Sequence, residues 1–106
     1  MAAYLDILWD NAFGNYRDIM EGVSTSVAMS YFLTFLGNSR ANTTTGSIPD
    51  ENYARELMQL FTIGLNQLNM DGTPVLSGGN PVPTYTQDDV AQHARVWTGY
   101  TFANND

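Results

Sequence analysis

The stretch VAMSYFLTFL, Val27 to Leu36, constrains the fold more than any other part of the chain. On a helix turning about 100° per residue, Val27, Met29, Tyr31, Phe32, Leu33, Phe35 and Leu36 point in most directions around the axis. Only Ser30 and Thr34 form a polar strip. A helix that is apolar all round has to be enclosed. The sequence therefore predicts either the central helix of a bundle or a helix that also packs against a second chain or against protein outside this sequence. The stretch is too short for a bilayer, which takes about 20 apolar residues.

Helical spacing recurs on both sides of it. Tyr4, Leu5, Leu8, Trp9 and Ala12 predict a first helix over about Ala3 to Phe13, ended by Gly14 and Asn15. A second is expected at Tyr16 to Val23, and the cluster Ser24, Thr25, Ser26 offers an N-cap to the third, Val27 to Leu36, closed by Gly37 and Asn38. RANTTTGS, Arg40 to Ser47, has no period and reads as a loop. The fourth helix is expected at Glu51 to Ile63, with Asp50 or Ser47 as N-cap and Gly64 as the stop. Thr86 then caps a fifth, Gln87 to Trp97, with Asp89 at the capping-box position and Gly99 ending it.

Between the last two helices, residues 65–84 hold a D-G turn, an S-G-G-N turn and three of the four prolines. That composition predicts an insert with one short hairpin, Gln67 to Leu68 against Val75 to Leu76. The expected fold is all-α: a bundle of about five helices in a single domain over residues 1–106, with a short β-hairpin insert between the last two helices.

Eleven acids against four bases give a formal charge of −7, and the basic residues are Arg17, Arg40, Arg55 and Arg95, with no lysine. Such a surface repels phosphate backbones and anionic headgroups, so neither nucleic acid nor a membrane is expected as a partner. The absence of cysteine excludes disulfides, thiolate metal sites and cysteine nucleophiles, and leaves the compartment undetermined.

Chemistry, if present, has to come from a few polar residues. On the fourth helix Tyr53, Leu57, Leu60, Phe61 and Gly64 share one face, Arg55 falls opposite it and Glu56 on its border, in line with Asn52. Adjacent residues diverge on a helix, so Arg55 and Glu56 do not pair, and Glu56 is expected to reach Arg95 or Arg17 across the bundle. Glycoside hydrolysis needs two carboxyls about 5 to 10 Å apart across a cleft. The candidates are Glu56 with Asp88 or Asp89, although Asp89 already has a capping task.

His93 is the sole histidine, and without a second His or a Cys it predicts no metal site. No G-x-S-x-G elbow is present. Asn66, Asn69 and Asp71 before Gly72 look like half a calcium loop, but the first acid and the bidentate Glu are missing, so a turn is expected. Trp9, Trp97 and Tyr100 would make a stacking platform for sugars if exposed; their helix-face spacing favours the core.

NYARELMQLFTIG followed by YTQDDVAQHARVWTGY resembles the core of the bacterial domain of unknown function family 1800. Asn52, Ala54, Arg55, Glu56, Leu57, Leu60, Phe61 and Gly64 fall on its first motif. Tyr85, Thr86, Asp89, Val90, Ala94, Arg95, Thr98 and Gly99 fall on its second. NAFGNYRDIM and STSVAM resemble the preceding helices, so the likeness runs over nearly the whole chain. Departures are Tyr100, where members often carry Trp, and His93, where a smaller residue is common. The resemblance implies a mostly helical protein, usually longer than this sequence and often exported. It implies an interior slice of such a protein, and no agreed activity.

The expected function is a helical binding or interaction module for a glycan or a protein, without a cofactor. Its polar cluster would be Asn52, Arg55, Arg95, His93, Trp97 and Tyr100. One alternative is a polysaccharide hydrolase using Glu56 and Asp89. Another is a scaffold that self-associates through Val27 to Leu36.

Overall fold

A computed structural model describes residues 1–101. Among them are five α-helices: α1 (Ala2–Asp10), α2 (Tyr16–Ser24), α3 (Val27–Phe32), α4 (Asn52–Glu56) and α5 (Gln87–Ala94). A π-helical turn, Leu57–Phe61, continues α4, and a 3-10 turn, Arg95–Trp97, continues α5. Strands β1 (Leu76–Ser77) and β2 (Asn80–Pro81) form one antiparallel hairpin between them. The protein is mostly helical, as its sequence predicts. It is only 16 Å deep along its shortest axis. With helix pairs spaced about 8–10 Å apart, that depth holds no more than two layers.

Local capping explains most of the boundaries. Asn15 accepts the Asp18 amide at the start of α2, and Ser26 accepts that of Met29 at the start of α3. Thr86 and Asp89 make the reciprocal capping box that starts α5. At α4 the N-cap is Glu51, whose side chain makes no capping bond; Asp50 instead accepts the Asn52 amide at 2.8 Å. The first helix stops at Asp10 rather than Phe13, and Gly14 keeps an ordinary φ. Helices α1 and α2 meet closely at Gly22, where a Cβ would stand 2.7 Å from an Ile7 methyl.

Two helices depart from expectation in ways that matter. α3 ends at Phe32, not Leu36, because Thr34 adopts φ +66°, a left-handed conformation rare for a β-branched residue. Thr34 is held by a bond from its hydroxyl to Asp50 Oδ2 and by one from Asn52 Nδ2. The reversal splits the apolar run: Leu33 and Phe35 turn into the core, while Tyr31 and Phe32 stay 72% and 76% exposed. α3 is therefore not an enclosed central helix within this chain.

The fourth helix widens into π geometry after Glu56, with the Thr62 hydroxyl donating to the Leu57 carbonyl. The extra residue in the turn shifts the register. Leu60, expected on the core stripe with Tyr53 and Phe61, is 70% exposed.

The core is an aromatic cluster centred on Phe35. Its ring centroid lies 4.7 Å from that of Tyr53, 5.6 Å from Trp97 and 5.3 Å from Tyr100. Val90 and Ala54 are fully buried at the α4–α5 contact. Asn38 ties three segments together: its side chain donates to the Trp97 carbonyl at 3.1 Å and accepts the Asp50 amide at 2.7 Å. Backbone bonds from Gly37 to Tyr100 and from Gly99 to Asn38 complete the seam.

The insert is a small meander. Its named strands close at the S-G-G-N turn, where Gly78 and Gly79 both have positive φ, as a two-residue hairpin demands. The pairing expected of Gln67–Leu68 with Val75–Leu76 is present as a looser contact: Val75 donates to Gln67, and Leu68 bridges Pro74.

Candidate functional site

The polar residues singled out by sequence collect around α4 and α5. Arg55 leaves α4 toward Glu51, one turn back, with Nη2 2.8 Å from Glu51 Oε2, and the same nitrogen donates to Gln87 Oε1 on α5 at 3.2 Å. Gln87 Nε2 returns a bond to Glu51 Oε2 at 3.0 Å. This three-membered clasp fastens the starts of the two helices. Arg55–Glu51 is the one ion pair among the described residues. Glu51 and Gln87 are not among the residues that the sequence singles out, although an acid four residues before an arginine is itself a pairing signal.

Glu56 makes no interhelix ion pair. Its Oε2 is shielded from solvent without a hydrogen-bond partner. Arg95, its expected partner, is exposed and donates to Gln92 Oε1 at 3.1 Å. The anticipated Glu56–Arg95 bridge is thus absent among the described residues: the guanidinium of Arg95 is held by Gln92 on its own helix.

Asp89 spends Oδ2 on the Thr86 amide and hydroxyl, at 2.8 and 3.0 Å. The structure does not bring Glu56 and Asp89 to a shared hydrogen-bond partner. Asn52 bonds to Asp50 and Thr34.

His93, Trp97 and Tyr100 do come together. The His93 ring meets Trp97 edge-on at 5.9 Å, and Trp97 lies 6.0 Å from Tyr100. Burial holds the His93 imidazole below the usual histidine pKa. Trp97 is enclosed rather than displayed, whereas Trp9 is 82% exposed on α1, so these tryptophans form no common platform. Asp71 closes a turn by accepting the Thr73 amide and hydroxyl, which holds its carboxyl below the usual range. No three acids or histidines converge to hold a metal among the described residues.

Two kinds of groove remain. An apolar one of about 530 Å³ runs between α1 and α3, lined by Tyr4, Ile7, Val27, Tyr31 and Phe32. It continues toward Phe61 in a second hollow that shares Met1, Tyr4, Ala28 and Phe32. Grooves of mixed polar and apolar lining surround the Gly37–Glu51 segment, one of them reaching α5 at Gln92, Arg95 and Thr98.

Over residues 1–106 the chain matches the model of a family described as a protein of unknown function, DUF1800. It belongs to the DUF1800 family. No curated protein and no solved structure matches it. In this DUF1800 chain the two motifs carrying the resemblance are the elements joined by the clasp: α4 with its π turn, and α5 with its 3-10 turn. No helix among the described DUF1800 residues is long and apolar enough to cross a membrane.

Proposed function

We propose that this chain is a helical interaction module, one layer of a larger helical protein, whose α1–α3 face packs against apolar helices. The observation that carries this reading is the fate of the apolar run: Val27, Tyr31 and Phe32 border an open groove instead of filling a core. Contiguous exposed apolar surface of this kind marks a site of protein association. Helices laid into that groove would complete the bundle that the shallow slab leaves open. Under this reading the chain has no chemistry of its own, and the structural engagement of Asp89 in its cap weighs against hydrolysis by a carboxylate pair.

The test is a Tyr31→Ser, Phe32→Glu double variant of the chain, followed by light scattering, hydrophobic-dye binding and thermal melting. The parent is expected to bind dye and to self-associate for want of its covering helices. The variant is expected to lose both properties with its melting temperature unchanged, since neither side chain is buried. A parent that is monodisperse and dye-silent overturns the reading, as does a variant that unfolds.

A further inference from the structure

One groove of about 570 Å³ lies between the segment after α3 and the outer face of α5. Arg40 lines it from the segment and Arg95 from the 3-10 turn, with Gln92 and Thr98 beside them and Pro49 and Ala91 as apolar walls. The chain has four arginines, no lysine and a formal charge of −7, yet two of those arginines line a single groove.

Among the described residues neither is paired with a carboxylate, the ion pair there being that of Arg55 and Glu51. Three of the acids nearest along the chain, Asp50, Glu51 and Asp89, are engaged elsewhere, Asp89 in the cap of α5. Asp50 accepts from Thr34 and from the Asn52 amide, and Glu51 from Arg55 and Gln87. Asp88, one turn before Gln92 on α5, is exposed and makes no ion pair.

We propose that this groove is a binding site for an oxyanion, either the carboxylate of an acidic sugar or a phosphate. A guanidinium presents its N–H donors in a planar fork that matches carboxylate and phosphate oxygens. Arg95 commits Nη1 to Gln92 Oε1, which fixes the fork and leaves its other donors for a ligand. Gln92 keeps its amide nitrogen for the same purpose. Thr98 lines the groove and donates its proton to the Arg95 carbonyl at 2.9 Å, which leaves its hydroxyl oxygen as an acceptor for a sugar hydroxyl. Two like charges lining one groove repel, and an anion between them relieves that repulsion while adding its own attraction.

Calorimetric titration of the chain at low ionic strength with inorganic phosphate, a uronic acid trisaccharide and its uncharged counterpart tests the site. Binding of at least one anion but not of the uncharged sugar is expected, and it weakens as salt is raised. Preference between the two anions identifies the source of the oxyanion.

Arg40→Gln and Arg95→Gln are each expected to weaken binding by about tenfold or more, equivalent to about 1.4 kcal/mol. Arg95→Lys, which keeps the charge and loses the fork, is expected to fall between. Arg17→Gln, on α2 and outside the groove, should leave binding unchanged. The side chains substituted in the groove are exposed, so melting temperatures provide a folding control. Failure of both anions to bind overturns the proposal. So does an equal loss in Arg17→Gln, which would mean attraction to charge in general.

Discussion

Ser24 Oγ and Tyr53 OH lie 2.6 Å apart in the interior, joining α2 to α4 across 29 positions of sequence. Burial raises the tyrosine pKa, with the serine bond opposing that shift, so the phenol stays neutral through the physiological range. Tyr53→Phe should cost about 1–2 kcal/mol, because it strands the Ser24 hydroxyl. The double variant Tyr53→Phe, Ser24→Ala should cost less than the sum of the single changes. Urea unfolding of the four proteins checks both values, and strict additivity would count against a direct bond.

Asn38 serves three segments with one amide, accepting the Asp50 amide and donating to the carbonyls of Trp97 and Asp50. Asn38→Ala leaves those backbone groups unpaired and should cost about 2–4 kcal/mol. Asn38→Asp keeps the acceptor and loses the donors, so its denaturation midpoint should fall between alanine and wild type.

The lowered pKa of His93 sets a pH dependence. The unfolded chain takes up a proton near the ordinary value of about 6.5, while the folded chain resists until lower pH. Stability should therefore be level above that value and decline as pH falls through it. Melting curves between about pH 7.5 and about 5.5 should show the decline, and His93→Gln should flatten it over this window.

Glu56 and Arg55 of α4 are expected to behave unlike what their motif suggests. Glu56→Gln should change stability by no more than about 1 kcal/mol, whereas breaking a buried ion pair would cost about 3–5 kcal/mol. Arg55→Ala removes a pair whose side chains are 39% and 26% exposed, and should cost under about 1 kcal/mol. Chemical denaturation of both variants separates these cases.

The parts of this fold legible in sequence are those with a local cause. The capping box of Thr86 and Asp89, the Ser26 cap and the Gly64 stop each depend on groups a few residues apart, and each is where its chemistry predicts. The family likeness was legible for the same reason, since its motifs are contiguous stretches. The left-handed turn at Thr34 was not, because Asp50 and Asn52 hold it from a distant stretch of chain. Nor was the π turn, which keeps an apolar composition while rotating Leu60 outward. At the candidate site the partners of Arg55 and Arg95 were not legible either. Helical position says which way a side chain leaves its own axis, but the crossing of α4 over α5 decides what it meets. The Arg40–Arg95 groove was out of reach for that reason, because it joins residues 55 positions apart.

The insert begins and ends at one place. Thr84 donates its backbone amide to Leu65 at 3.0 Å and its hydroxyl to the carbonyl of Gly64, and Gln67 donates to Val82 at 2.8 Å. Both feet of the excursion are thereby pinned side by side, while Met70 at the far tip stands fully in solvent. Lengthening a loop beyond such a closed base raises the entropic cost of closure only logarithmically with residue number. The Asp71–Gly72 tip is thus a natural port for cargo, where a tag or a whole guest domain can be threaded without disturbing the helices below.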